Sequence, residues 1–268
     1  MSKAFAPANV SCIFSPYVNS EPEKTGSLGV GFTVDKGVEV EVEKSKNTTI
    51  SFNGGIIDFP TVKTVVESVS DEPLFIKIIS ELPLGVGFGL SGAASIATAF
   101  AVNDLLSLGI TESELAMIAH IAEVKNKTGL GDVCGQFNGG FQIKREVGNP
   151  LKSEKLNVGV KKVYCDIFSS IDTKGTLSNR LLKERIIASG KIALDKIDSS
   201  ISFAKLCELS REFAEQSTLL SPDIKFALMR SKGNSSMMML GNAIYSDSPS
   251  GLINPIELNV VDNRVRLL

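Results

Sequence analysis

The chain has 268 residues, 43% hydrophobic and 22% charged, which suits a packed core and argues against wholesale disorder. A net charge of −2 and a pI near 5.7 give no electrostatic footprint for nucleic acid or for an anionic membrane surface. Four scattered cysteines, one histidine and no tryptophan leave little material for a disulfide framework, a His-rich metal centre or a Ser-His-Asp triad.

The opening "MSKAFAPANV" lacks the long apolar core of a signal peptide, so the expected setting is cytoplasmic, with reduced thiols. Residues 3–14, 27–34 and 37–45 predict three strands, the last alternating apolar and acidic residues with period two. Val62, Val65, Val66 and Val69 have helical spacing, and "LFIKIIS" at 74–80 predicts a strand. A glycine-rich loop, "PLGVGFGLSGAAS" at 83–95, then runs into a helix predicted over 91–108 and closed by Gly109. Asn103 and Asp104 interrupt that apolar stretch, which reads as a buried helix rather than a membrane span. Thr111 and Glu114 are spaced as a capping box for the next helix, "SELAMIAHIAEVKN". A second glycine loop, "KTGLGDVCGQFNGG", leads to a predicted strand "FQIKRE".

Polar sequence at 146–158 suggests a boundary between two domains, 1–152 and 153–268. The second part predicts a strand at 161–170, helices at 180–197, 202–217 and 222–230, and strands near "SMMML", "NAIYS" and "NRVRLL". The charged run 177–186 reads as a solvated helix face, and the methionines as a core strand. Strands and helices come in clumps rather than alternating, so the expected class is α+β.

"GFGLSG" at 87–92 matches G-x-G-x-x-G, but a dinucleotide site needs a following strand ending in an acid about 20 residues on. Here Glu112 and Glu114 open another helix instead. No lysine closes the loop as a Walker A motif requires, and glycines that merely allow close packing are the plain alternative. Gly85, Gly87 and Gly89 let backbone amides approach an anion, and the helix start adds unpaired N–H groups and a positive dipole end. Ser91 is placed to touch a phosphate-bound Mg²⁺, and Ser95 supplies a second hydroxyl near the helix start. Glu123 and Asp132 can divide the two tasks of phosphoryl transfer, holding a metal and orienting the attacking hydroxyl.

The 83–95 loop resembles the second motif of the GHMP kinase superfamily, and the "E...TGLGD......GG" block resembles its metal-ligand Glu and catalytic Asp. Within the superfamily, "GSLGVGF", "AHIAEVKNKTGLGDVCGQFNGGFQIKREVG" and "MMMLGNAIYS" are most similar to the archaeal pantoate kinase family. The resemblance implies a two-domain α+β fold, first like ribosomal protein S5 domain 2 and then ferredoxin-like, with the active site in the cleft between. It implies ATP-dependent phosphorylation of the terminal hydroxyl of pantoate for coenzyme A synthesis. ATP would lie along Pro83, Gly85, Gly87, Gly89, Leu90, Ser91, Gly92 and Ala93, with Mg²⁺ on Ser91 and Glu123, and Asp132 would accept or orient the hydroxyl proton. The departures are Asn9, where many members carry Lys, and Leu90 and Gly92 within the usual Ser-Ser-Ala-Ala run.

A carboxylate-bearing acceptor needs a cation. Lys144 and Arg145 point to opposite faces of one strand, and Lys144 is preferred. His120, one turn before Glu123, and Ser27 complete the expected substrate contacts, while Asn234 and Ser235 stand where a third glycine motif would line the cleft. The alternatives are a sibling kinase for mevalonate, shikimate or homoserine, or a non-catalytic nucleotide-binding regulator. An RNA-binding module is disfavoured by charge and by scarce aromatics, no nucleic-acid or membrane partner is expected, and a homodimer is an open expectation.

Overall fold

Two long strands, β1 (Ser2–Tyr17) and β2 (Gly26–Lys44), form an antiparallel pair in the computed structural model, which describes residues 1–169 and 180–268. The stretches 27–34 and 37–45 are one continuous strand. At Gly37 the two backbones are so close that a Cβ would collide with the Ala6 carbonyl, so the glycine joins the strands instead of breaking them. Val38, Val40 and Val42 are fully buried, and Glu41 faces outward between Lys3 and Lys77.

Asn53 and Gly54, both at positive φ (48° and 86°), turn β3 (Thr49–Phe52) into β4 (Gly55–Ile56). The Asn-Gly pair is the sequence signal for this hairpin. Helix α1 (Pro60–Val69) starts on a proline, and β5 (Leu74–Ile79) returns parallel to β3. The sheet runs β12-β1-β2-β5-β3-β4, where β12 is Arg266–Leu267, with β6 (Gln142–Lys144) on β2 and β7 (Glu154–Lys155) on β6. Helix α2 (Leu90–Leu106) packs on β1 and β2, with α1 and α3 (Glu112–Asn126) beside it. Its alanines Ala93, Ala94, Ala97 and Ala101 are fully buried, which lets helix and sheet approach closely. The capping box at Thr111 and Glu114 forms as the spacing predicts.

The second glycine loop is not all loop. A short helix, α4 (Asp132–Asn138), lies inside it. Gly135, a poor helix former, is needed there because a Cβ would collide with the Asn9 side chain.

The second sheet runs β11-β8-β10-β9, all antiparallel, from β8 (Lys162–Ser169), β9 (Ser235–Met237), β10 (Asn242–Ser246) and β11 (Ile256–Asn259). That is the strand order of a ferredoxin-like sheet. Helices α5 (Arg180–Leu194), α6 (Phe203–Gln216) and α7 (Pro222–Arg230) fill the β8 to β9 connection, but no helix joins β10 to β11. Residue 170 of the expected strand and 177–179 of the charged run lie outside the described residues.

Strand pairing crosses the sequence-level boundary at 152. β7 joins the first sheet, and β12 (Arg266–Leu267) pairs with Ala4 and Phe5 of β1. Among the described residues no helix is long and apolar enough to cross a membrane, and Cys12, Cys134, Cys165 and Cys207 are buried and free.

Two register shifts in β1 connect this scaffold to the site. One falls between Pro7 and Asn9 and the other between Ser11 and Ile13. The shifts leave Ala8 and Cys12 without register partners, and backbone groups at and beside them bond outside the β1–β2 ladder. The Asn9 amide donates to the Phe88 carbonyl (3.0 Å) in the first glycine loop. The Ser11 carbonyl accepts from the Met239 amide (3.0 Å), and the Cys12 carbonyl from the Ser210 hydroxyl (2.7 Å), both in the second half of the chain.

Candidate active site

Helix α2 starts at Gly89, which has φ +60°, and no side chain caps it. Its first-turn N–H groups therefore remain available at the mouth of a cleft lined by Gly85, Gly87–Ser91, Glu123 and Thr128–Asp132. Gly85 (φ 76°) and Gly87 (φ 101°) adopt backbone that side chains resist. A Cβ on Gly89 would lie 2.9 Å from the Asp132 carboxyl carbon, so this glycine also makes room for the acid. The Gln136 side chain donates to the Gly89 carbonyl (2.8 Å) and ties α4 to the start of α2.

Glu123, one turn from the end of α3, meets Ser91 across the cleft. Its Oε1 accepts from the Ser91 hydroxyl (2.5 Å) and the Thr128 hydroxyl (2.9 Å). With the Ser91 proton committed, the Thr61 hydroxyl donates to Ser91 at 3.3 Å. Glu123 Oε2 is buried and has no hydrogen-bond partner. Asp132, the first residue of α4, accepts from the Asn9 side-chain amide through Oδ1 (2.9 Å). The two remaining carboxylate oxygens converge on Gly129, where a Cβ would sit 2.5 Å from Glu123 Oε2 and 3.2 Å from Asp132 Oδ2.

Burial raises both acids. Glu123 is pushed to about 7 by desolvation, offset by the Ser91 hydrogen bond, raised further by nearby Asp132 and lowered again by Thr128. Asp132 is raised by burial and drawn back by Asn9. An unpartnered buried carboxylate oxygen beside a hydroxyl is the hard-oxygen donor set that Mg²⁺ takes. Among the described residues no group of three or more His, Cys, Asp or Glu could hold a metal, so a cation here would draw most of its shell from phosphate and water.

A smaller cleft adjoins the first and shares Ser11, Phe14, Ser27 and Gly131 with it. Lys144 points into it from β6, 5% exposed, its Nζ without a hydrogen-bond partner and 5.6 Å from the centre of the Tyr17 ring. Desolvation lowers its pKa to about 8, against an opposing contribution from Cys134. Arg145 lies on the other face and donates to the Ile197 carbonyl (2.5 Å), so Lys144 is the one that faces the cleft.

Several expected residues stand elsewhere. His120 lines neither cleft. Its Nε2 is 2.8 Å from the Thr25 carbonyl, and desolvation lowers its pKa to about 4, so the neutral ring steadies the segment leading to Ser27. Pro83 is exposed and outside both linings, while Gly92 packs under Gln136 and Ala93 is buried, because successive positions of a helix face different neighbours. Asn234 is spent on Asp247 and Ser235 on Arg211. The wall expected from those two is built by Met239 and Leu240. Beneath it, Gly241 packs so tightly on Val86 that a Cβ would collide with the carbonyl.

Sequence reasoning also missed Ser11, Phe14, Thr61, Thr128 and Gln136. Only Thr128, inside the TGLGD block, carried a local signal.

A family model described as "GHMP kinases N terminal domain" matches residues 59–140. The chain is 32% identical over 276 residues to a pantoate kinase of Methanocaldococcus jannaschii, covering 96% of this chain and 99% of that one. It is 30% identical to a pantoate kinase of Methanospirillum hungatei, over 91% of this chain and 86% of the other. A solved structure described as "Phosphotransferase related to CoA biosynthesis pathway" superposes with a TM-score of 0.86 at 26% identity, covering 100% of this chain and 98% of that one.

Proposed function

This chain belongs to the pantoate kinase family of the GHMP kinases, and we propose that it transfers the γ-phosphoryl group of ATP to the terminal hydroxyl of (R)-pantoate, giving (R)-4-phosphopantoate. The observation that carries the reading is the pair of half-satisfied carboxylates, buried Glu123 and half-buried Asp132, converging at an uncapped helix start.

The uncapped amides of α2 and the glycine-loop backbone bind the triphosphate. Ser91 and Glu123 are the residues that would hold Mg²⁺, which when bound neutralises charge on the phosphate oxygens. The acceptor lies across the shared boundary of the two clefts, its carboxylate on the Lys144 ammonium and its hydroxyl toward Asp132. Asp132 Oδ2 accepts the hydroxyl proton as the alkoxide oxygen bonds to the γ-phosphorus and the bond to the ADP oxygen breaks. Burial keeps Asp132 a better proton acceptor than an exposed carboxylate. Positioning and electrostatics supply most of the acceleration.

Within this division of labour, residues 1–152 supply the phosphate cradle and both acids, and 153–268 supply Met239 and Leu240 to the cleft wall. The buried thiols suit a reducing cytoplasm. A regulator that only sensed nucleotide would have no use for a second carboxylate, Asp132, aimed beside the phosphate site.

The test is ADP release from purified protein with Mg²⁺, ATP and pantoate, mevalonate, shikimate or homoserine in parallel. Pantoate is expected to give the fastest turnover. Turnover with pantoate no higher than with buffer, while a sibling alcohol reacts, overturns the acceptor assignment.

A further inference from the structure

Asn9 is held at both ends of its own short structure. Its backbone amide donates to the Phe88 carbonyl, between Gly87 and Gly89 of the phosphate loop (3.0 Å). Its side-chain amide donates to Asp132 Oδ1 (2.9 Å), which lies 123 residues further along the chain. Neither bond belongs to the β1–β2 ladder, in which Asn9 stands opposite Thr33 immediately after the register shift that leaves Ala8 without a partner.

The surroundings are shaped for this carboxamide. Asn9 is 4% exposed, and Gly135 leaves it the space that any larger residue would take. The bond occupies one oxygen of Asp132 and leaves Oδ2 toward Gly129 and the cleft. Asn9 is a neutral donor, so it fixes the carboxylate without adding a cation beside it.

We propose that Asn9 is the positioning residue of the transfer reaction. It sets the distance between the phosphate cradle and the oxygen that accepts the acceptor proton, acting through Asp132 from its place in the wall of the second cleft. The proposal rests on the reading of Asp132 given above. Its two bonds separate cleanly: a side-chain substitution cuts the link to Asp132 and leaves the backbone link to the loop intact.

The experiment is a double-mutant cycle with Asn9→Leu, Asp132→Asn and the combination, measured with pantoate and ATP, with nucleotide-analogue affinity and melting temperature recorded for each. Asp132→Asn is expected to lower kcat by ~10²-fold or more, as loss of a positioned acid–base group does. Asn9→Leu should lower kcat by ~10-fold to 10²-fold with nucleotide affinity within about 2-fold, and add nothing to the loss in the Asp132→Asn background. Asn9→Ser, which keeps a hydroxyl but not the reach, is the variant to use if Asn9→Leu does not fold, and it should show the same split. Full kcat in the Asn9 variants, or losses that multiply in the double variant, overturns the proposal while leaving Asp132 in place. Undiminished kcat in Asp132→Asn removes the reading of Asp132, and the role of Asn9 falls with it.

Discussion

Asp166 in the second sheet and Glu123 in the cleft are equally buried, each 2% exposed, yet the chain treats them differently. Asp166 uses both oxygens: Oδ2 accepts from the Ile253 amide (2.9 Å) and lies 3.6 Å from the Arg230 guanidinium, while Oδ1 accepts from the Asn254 amide at 3.3 Å. Nearby, the Ser236 and Tyr245 hydroxyls donate to Ser210, whose own hydroxyl donates to the Cys12 carbonyl. Glu123 receives two donors on one oxygen and none on the other. The Lys144 ammonium is bare as well. A buried polar group left without a partner costs stability, and the Glu123 and Lys144 atoms differ from the other unpartnered ones, such as those of Thr98 and Arg230, in lining the two adjoining clefts.

The largest test of this contrast is Asp166→Ala. Removing one member of a buried, bonded set should cost about 3–5 kcal/mol in urea unfolding, with turnover per folded molecule unchanged. An unaltered unfolding midpoint would erase the distinction.

Glu123→Gln should move stability the other way. Burial raises this acid from 4.5 to about 7, so between those values the native state holds a proton that the unfolded chain has lost, and wild-type stability falls as pH rises through that window. The variant lacks this loss and should be more stable at pH 8 by about 1–3 kcal/mol, while Mg²⁺-ATP no longer raises its melting temperature. Parallel stability curves for the two proteins from pH 4.5 to 7 would contradict the assignment.

Lys144→Met gives the smallest shift. The folded pKa of Lys144 lies near 8 against an ordinary 10.5, so the native state binds fewer protons across that interval and wild-type stability climbs with pH there. Replacing the bare ammonium should add about 1–2 kcal/mol at pH 7, and raise the acceptor KM by ~10-fold with the KM for ATP unchanged. A loss confined to ATP would move Lys144 to the nucleotide side.

What could be read in advance was local. The capping box, the glycine loop, the apolar α2 and the carboxylates at 123 and 132 each carry their signal within a dozen residues. Helix α4 was hidden because Gly131 and Gly135 argue for a loop, and only Asn9, far away in sequence, explains why Gly135 must be a glycine. The continuity of β2 was hidden at Gly37 for the same reason, a close backbone approach that spacing cannot reveal. Thr61 carried no signal, and Asn9 stood out only as a departure from the usual Lys, because their partners lie 30 and 123 residues away. The exchange of Asn234 and Ser235 for Met239 and Leu240 follows from where β9 ends, a boundary that a run of methionines does not mark.

The second bulge of β1 limits how the enzyme can breathe. The turn bearing Met239 and Leu240 hangs from the Ser11 carbonyl, two residues beyond the Asn9 that steers Asp132, so roof and floor of the reaction chamber share one beam. Swinging the two halves apart as rigid jaws would tear that suspension and the Ser210 tie beside it. Rigid-body separation of the halves therefore costs both bonds, a cost that local yielding of the glycine-rich rims avoids.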